Sequence, residues 1–223
     1  MSLTKRIADG FLLWTALWAG IAHPARGDPD VCVEACFWPG YCLWANTSFW
    51  PGVDEGLFGS ADPVFVLGLG LPWGYFGAVF GASVALAGNT VCQSSGLMLA
   101  PGVNFSENVL GFQVAGGMND SRNSSALQVA VGFNRTTGLL RGAQVGTVNC
   151  AGGEACGLQL GVVNWAEEMT GVQFGVFNRA NDARGLQLGV VNRAGSLRGV
   201  QIGLANFAAD STVGFLPLAR IGF

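Results

Sequence analysis

Apolar and polar residues alternate through the second half of this chain in a pattern that restarts every fourteen residues. In the unit "GLQLGVVNRAGSLR" (185–198), Leu186, Leu188 and Val190 alternate with Gln187 and Gly189. A period of two predicts a strand. Gly189 has no Cβ, which suits a bend or a close approach of backbone. Asn192 closes the run, where its tolerance of a left-handed backbone fits a turn. Counting from the opening Gly, position 10 is Ala in the clearest copies: Ala151, Ala166, Ala180, Ala194 and Ala208. Position 13 is apolar (Met169, Ala183, Leu197), and the charges Glu167, Glu168, Arg179, Asp182, Arg184, Arg193 and Arg198 fall at positions 9, 11, 12 and 14. The pattern predicts that both halves of the unit turn apolar side chains inward, a Leu/Val row from positions 2, 4 and 6 meeting Ala and Leu from positions 10 and 13.

Units open at Gly157, Gly171, Gly185 and Gly199, and Gly142 opens a copy of fifteen residues. Upstream, "GLMLAPGVN" (96–104), "GFQVAGGMN" (111–119) and "ALQVAVGFN" (126–134) carry one more residue before the Asn. "VFVLGLGL" (64–71) and "GAVFGASVA" (77–85), the latter with Val79 at the Gln position, read as further degraded copies. The array therefore spans residues 63–209.

Two architectures can use such a unit. In a parallel β-solenoid each copy is one coil; in an antiparallel outer-membrane β-barrel each copy is one strand. Leucine-rich repeats need roughly 20–29 residues per unit and are excluded. For the barrel speak the strand length, the alternation of Val213, Phe215, Ala219 and Ile221 toward Phe223, and Trp165, Phe177 and Phe207 as an aromatic girdle. Against it, a barrel gives alternate connections different tasks, whereas here they are alike, and it has no use for an Ala after every Asn. The expected fold is all-β, a parallel solenoid of about 14–15 residues per coil, with the barrel as the alternative.

Stacked coils bring equivalent positions to about 4.8 Å. Gln113, Gln128, Gln144, Gln159, Gln173, Gln187 and Gln201 would then form one ladder of side-chain amides. Asn149, Asn164, Asn178, Asn192 and Asn206 would form a second at the corner. Such ladders satisfy polar groups that would otherwise be stranded. Five N-x-S/T sequons (Asn46, Asn104, Asn119, Asn123, Asn134) are present, three of them on the corner Asn itself, and chance explains them in so Asn- and Ser-rich a chain.

The start of the chain has the grammar of a cleaved secretory signal: Lys5 and Arg6, the apolar "GFLLWTALWAGIA" (10–22), then small residues Ala25 and Gly27 ahead of Asp28. A retained anchor is the alternative. Residues 1–27 are assigned to the signal, 28–62 to a Cys/Trp-rich cap segment with "FWPG" at 37–40 and 49–52, and 210–223 to a C-terminal cap strand. Export makes Cys32, Cys36, Cys42, Cys92, Cys150 and Cys156 disulfide candidates. A zinc site at Cys32, Cys36 and Cys42 lacks CxxC spacing and a nearby His. The uncharged run from Asp62 to Glu107 contains Gly77-x3-Gly81, a spacing used by paired membrane helices, but Pro72 splits it and it reads as strands.

Composition narrows the function. Only 11% of residues are charged, the net charge is −3, and no basic face points to nucleic acid. The single His (His23) and single Lys (Lys5) both precede Asp28, so no Ser-His-Asp, Cys-His or Lys nucleophile can be assembled downstream. Glu167 and Glu168 read as a solvated face, and "GLGLPWGYFG" (68–77) has no phosphate-binding Lys. No enzyme, metal, cofactor or small-molecule substrate is expected.

The stretch "GLQLGVVNWAEEMTGVQFGVFNRANDARGLQLGVVNRAGSLRGVQIGLANFA" (157–208) resembles the arrays of bacterial surface-repeat proteins, best known from spirochaetes, whose units read G-[LV]-Q-[LI]-G-[LV]-[VI]-N-x-A. "VLGLGLPWG" (66–74) and "GFLPLARIGF" (214–223) fit the way such chains open and finish. The resemblance implies an exported or surface protein with no established reaction. The expected role is a structural or interaction module, docking or adhesive, at the cell surface or in the periplasm. Its partner is an unnamed protein or surface, with outer-membrane association left open. An integral barrel acting as anchor or pore is the rival.

Overall fold

The computed structural model describes residues 43–48, 64–71 and 73–223. The signal segment, Cys32, Cys36, Cys42 and both "FWPG" stretches lie outside the described residues. One sheet of eleven strands follows chain order. β1 (Leu43–Ser48), β2 (Val64–Gly70), β3 (Trp73–Ala85), β4 (Gly88–Ala100), β5 (Val103–Ala115) and β6 (Met118–Thr136) are followed by β7 (Leu140–Leu160), β8 (Val163–Phe174), β9 (Phe177–Leu188), β10 (Val191–Ala208) and β11 (Phe215–Gly222). Each strand is parallel to the next from β1 to β10, and only β10 and β11 run antiparallel. The chain is a β-solenoid of about 9 turns. The antiparallel barrel is overturned: successive copies stack in parallel register, Gly171 beside Gly185 beside Gly199, and Asn164 beside Asn178 beside Asn192.

β1 belongs to the same stack, pairing in parallel with β2. The array thus reaches back into the segment assigned to the cap. Residues 74–85 are strand, not a membrane helix.

Each coil bends at three places. One lies at positions 5 and 6, where strand structure stops in several coils, as at Gly175–Val176 between β8 and β9, and runs on in β6, β7 and β10. Pairing skips position 11 (Glu167, Asn181, Gly195). Position 1 is Gly with φ between 127° and 146° in eight coils, a conformation that L side chains avoid. Val66 and Ala126, which fill that position in register with these glycines, are not among the residues with positive φ. The left-handed residue is thus the Gly at position 1 rather than the Asn at position 8, which sits within the strand.

The phase of the alternation is opposite to the one expected. Positions 3, 8, 10 and 13 point inward: Gln173, Asn178, Ala180 and Ala183 are all buried. Positions 2, 4 and 6 point outward, and Phe174 and Val176 are each 52% exposed. The inward Ala and Leu rows therefore meet glutamines, not a Leu/Val row. Buried Leu140, Ala151, Ala155, Ala166, Met169, Ala180, Ala183, Ala194, Leu197 and Ala208 form the main apolar cluster, so positions 10 and 13 are core as expected. A second cluster (Phe76, Val79, Val91, Met98, Val109, Ala126) fills the earlier coils. There the alignment shifts: Ser83, not Val79, holds the Gln position, in register with Met98 and Gln113, and Val79 stacks on Ser94 and Val109 at position 13.

β11 folds back across the open edge of β10. Arg220 on it is buried and donates from Nη1 to the carbonyl of Ala208 at 3.2 Å, and from Nη2 to that of Val213. Its register partner is Gln201.

Candidate functional site

The two amide columns are fully formed. Gln128 donates from Nε2 to Gln113 Oε1, and each later Gln repeats this toward its predecessor as far as Gln201, at 2.6–2.9 Å. The second N–H of Gln159, Gln173 and Gln201 goes to the carbonyl of position 9, on Trp165, Arg179 and Phe207. The Asn column runs the other way, each Nδ2 donating to Oδ1 of the following Asn at 2.8–3.0 Å. The same Nδ2 also donates to the position-4 carbonyl of the next coil, as from Asn178 to Leu188. This column is longer than expected, beginning at Asn89 and taking in Asn104, Asn119 and Asn134.

Gly at position 5 makes room for it: a Cβ on Gly175 would fall 2.6 Å from Asn164 Nδ2. With the Asn residues 0% and the Gln residues at most 2% exposed, the columns are out of reach of any ligand. The same burial removes the sequons at Asn104, Asn119 and Asn134 from the folded surface.

What the coils present to solvent is set by that inward polarity. A strand alternates, so an inward Gln at position 3 forces positions 2 and 4 outward. The turn at 5 and 6 and the start of the next side add positions 6 and 7. Across the nine coils these four outward positions carry no charge, and Thr147 is their sole hydroxyl. In the last four coils they read Leu158, Leu160, Val162, Val163; Val172, Phe174, Val176, Phe177; Leu186, Leu188, Val190, Val191; and Val200, Ile202, Leu204, Ala205. Leu204 is 67% exposed. At about 4.8 Å per coil, the arc is roughly 38 Å long.

Charge is sorted around it. Arg135, Arg179 and Arg193 stand at position 9, next outward after position 7; Arg141, Arg184 and Arg198 stand at position 14, just before the Gly bend and position 2. Glu107, Glu154, Glu167, Glu168, Asp182 and Asp210 occupy positions 11 and 12, on the side away from the arc. Arg122 sits among them, and Asp120 is buried. The ion pairs Arg184–Asp182 (2.8 Å) and Arg122–Glu107 (3.8 Å) are both solvent-exposed and contribute little. Glu167 accepts from Asn181, the same position one coil on. Glu167 and Glu168 are thus a solvated face.

Cys150 and Cys156 are free thiols, which corrects the expectation that both are paired. Cys150 is buried at position 9 and Cys156 exposed at position 14, on either side of the bend at position 11. Burial pushes the Cys150 thiol above its ordinary 9.0, an effect partly offset by the Arg135 charge. Cys92 lies on β4 and is not one of the free thiols. Among the described residues no group of His, Cys, Asp and Glu could hold a metal ion, and no helix is long and apolar enough to cross a membrane. A shallow groove of about 390 Å³ beside Gln93, Asn108 and Asn123 holds no titratable side chain.

No protein-family model, curated relative or solved structure matches the chain.

The columns were legible in the sequence; the arc was not. The signal that reveals it is the alternation carried across the Gly bend: with Leu197 inward, Arg198 faces out, and beyond Gly199 Val200 faces out and Gln201 in.

Proposed function

We propose that this chain is an exported, non-enzymatic surface-repeat protein that serves as a structural and docking module, with the uncharged arc as its docking face. The observation that carries the reading is the arc itself. A single apolar patch on a soluble monomer seldom exceeds about 300–600 Å², and larger ones mark interaction sites. Here the apolar positions recur in every coil and form one continuous face. The signal grammar of residues 1–27 and the resemblance to bacterial surface repeats support export.

Single cysteines test both halves of the reading. In a parent with Cys32, Cys36, Cys42, Cys92, Cys150 and Cys156 all replaced by Ser, Val176→Cys places a thiol on the arc and Glu168→Cys places one on the acidic side. A membrane-impermeant maleimide should label both in purified protein. In intact cells it should label only Glu168→Cys, because the partner shields the arc. Labelling of neither until the cells are broken would overturn display at the cell surface. Equal labelling of both in intact cells would overturn docking.

A further inference from the structure

Resting on the docking reading, we infer that the arc's partner is the surface of an anionic phospholipid bilayer. The arc is uncharged along the stack, and its last four coils offer aliphatic and Phe side chains with no hydrogen-bonding group, a match for acyl chains rather than for a patterned protein surface. An amphipathic face of this kind seats itself at the boundary between headgroups and acyl chains.

The arginines decide the sign of the partner. Both borders of the arc carry them, Arg135, Arg179 and Arg193 on one side and Arg141, Arg184 and Arg198 on the other, whereas the exposed acids stand beyond those borders at positions 11 and 12, Asp182 paired with Arg184 at 2.8 Å. A second copy seated face to face would bring arginine borders against arginine borders, and like charges in such a position repel. A phosphate layer does the opposite. Arginine stems lie along apolar surface while their guanidinium groups reach outward, and the planar fork matches phosphate oxygens two at a time. With the arc in the boundary layer, both rows reach phosphate level, Arg184 exchanging its exposed Asp182 partner for phosphate, while the other acids at positions 11 and 12 stay in water.

The test is flotation of the full chain with vesicles of phosphatidylcholine containing phosphatidylglycerol, beside vesicles of phosphatidylcholine alone. The wild type should float with the anionic vesicles, far less with the neutral ones, and less as salt is raised. Arg184→Gln with Arg198→Gln should weaken partitioning by about 5-fold per arginine. Phe174→Asp with Val176→Asp should abolish flotation while circular dichroism and melting stay those of the wild type, since both side chains face out. Should that pair fail to fold, Phe174→Ser with Val176→Ser takes its place.

Flotation unchanged by the outward substitutions would assign binding to residues 10–22 and overturn the proposal. Equal flotation with neutral and anionic vesicles would overturn it by removing the arginines' part. No flotation, with dimers in sedimentation equilibrium, would hand the arc to a second copy. In that case the maleimide shielding in cells would still report docking, so the two readings fail separately.

Discussion

A buried glutamine is tolerable only when its amide makes its bonds, and Gln173 makes three. It donates to Gln159 Oε1 at 2.8 Å and to the Arg179 carbonyl at 3.3 Å, and it accepts from Gln187 Nε2 at 2.6 Å. Gln173→Ala strands the acceptor below and the donor above. At about 1–3 kcal/mol per stranded group, denaturant unfolding should register a loss of roughly 2–6 kcal/mol. Its neighbour Phe174 points out, so Phe174→Ser should change stability by no more than about 0.5 kcal/mol. A larger loss for Phe174→Ser than for Gln173→Ala would mean the strand is phased the other way. Sequence alone shows why that phase is easy to misjudge. A period of two identifies two faces without saying which is inner, and a one-residue slip exchanges them. The rule that apolar residues lie inside then selects Leu and Val. Amide columns reverse it, because stacked Gln side chains satisfy one another.

The thiols give a second test at this scale. Exposed Cys156 should react with maleimide in the native protein near neutral pH, and buried Cys150 should not. The raised value of Cys150 means that the folded chain holds that proton longer than the unfolded chain does. Its contribution to stability is therefore complete below the ordinary 9.0 and is lost as pH rises through the folded value. Unfolding measured on either side of that window should show a fall that Cys150→Ser reduces. An unchanged fall in the variant would clear Cys150 of the effect.

Elements were legible to different degrees, and the differences have physical causes. The Ala at position 10 was placed in the core from its recurrence, since a narrow coil has no volume for anything larger, and Ala166 and Ala180 are buried accordingly. The repeat pattern does not reveal that strands run through the bends. β9 and β10 continue past position 1 because Gly there turns the chain without leaving the ladder. The early coils align ambiguously in sequence because Gly77 and Gly81 both suit an opening Gly; only Gly81 has the positive φ, 136°. Gly171→Ala tests what that residue is for. Its φ is also 136°, and a Cβ would collide with the carbonyl oxygen of Gly157 in the coil before. Strain of this kind costs about 1–3 kcal/mol before any collision is counted. Gly171→Ala should therefore melt well below the wild type, whereas Gly214→Ala, with open space around it, should melt with it. Equal melting of the two variants would show that the bend at position 1 accepts a side chain.

For the whole molecule, a stack has two ends, and everything that repeats must stop somewhere. The columns run in opposite senses, Asn donating toward the C-terminus and Gln toward the N-terminus, so each end carries unused groups of one kind. Asn89 Oδ1 is buried without a partner where the Asn column begins, and Gln201 Oε1 likewise where the Gln column ends. The antiparallel return of β11 over β10 had no counterpart in the repeat, so the pattern announced a closing strand without its direction. β11 covers the backbone edge of the last coil, from Gly199 to Phe207, and brings Arg220 opposite Gln201. An uncovered parallel edge is a template for another chain, and here the template would present Gln201 and Asn206 in position to extend both columns. Deleting residues 210–223 should therefore convert a species of fixed size into one whose mass by light scattering grows with concentration. Stability should fall as well, since coils in such arrays draw their stability from their neighbours. Restoring Arg220 alone is impossible without the strand, so Arg220→Leu in the intact chain separates the two effects. It should lower the melting temperature, by leaving the Ala208 and Val213 carbonyls without their donor, and leave the mass independent of concentration. A truncated chain that kept the wild-type mass at every concentration would show that β11 is not what stops the stack from growing.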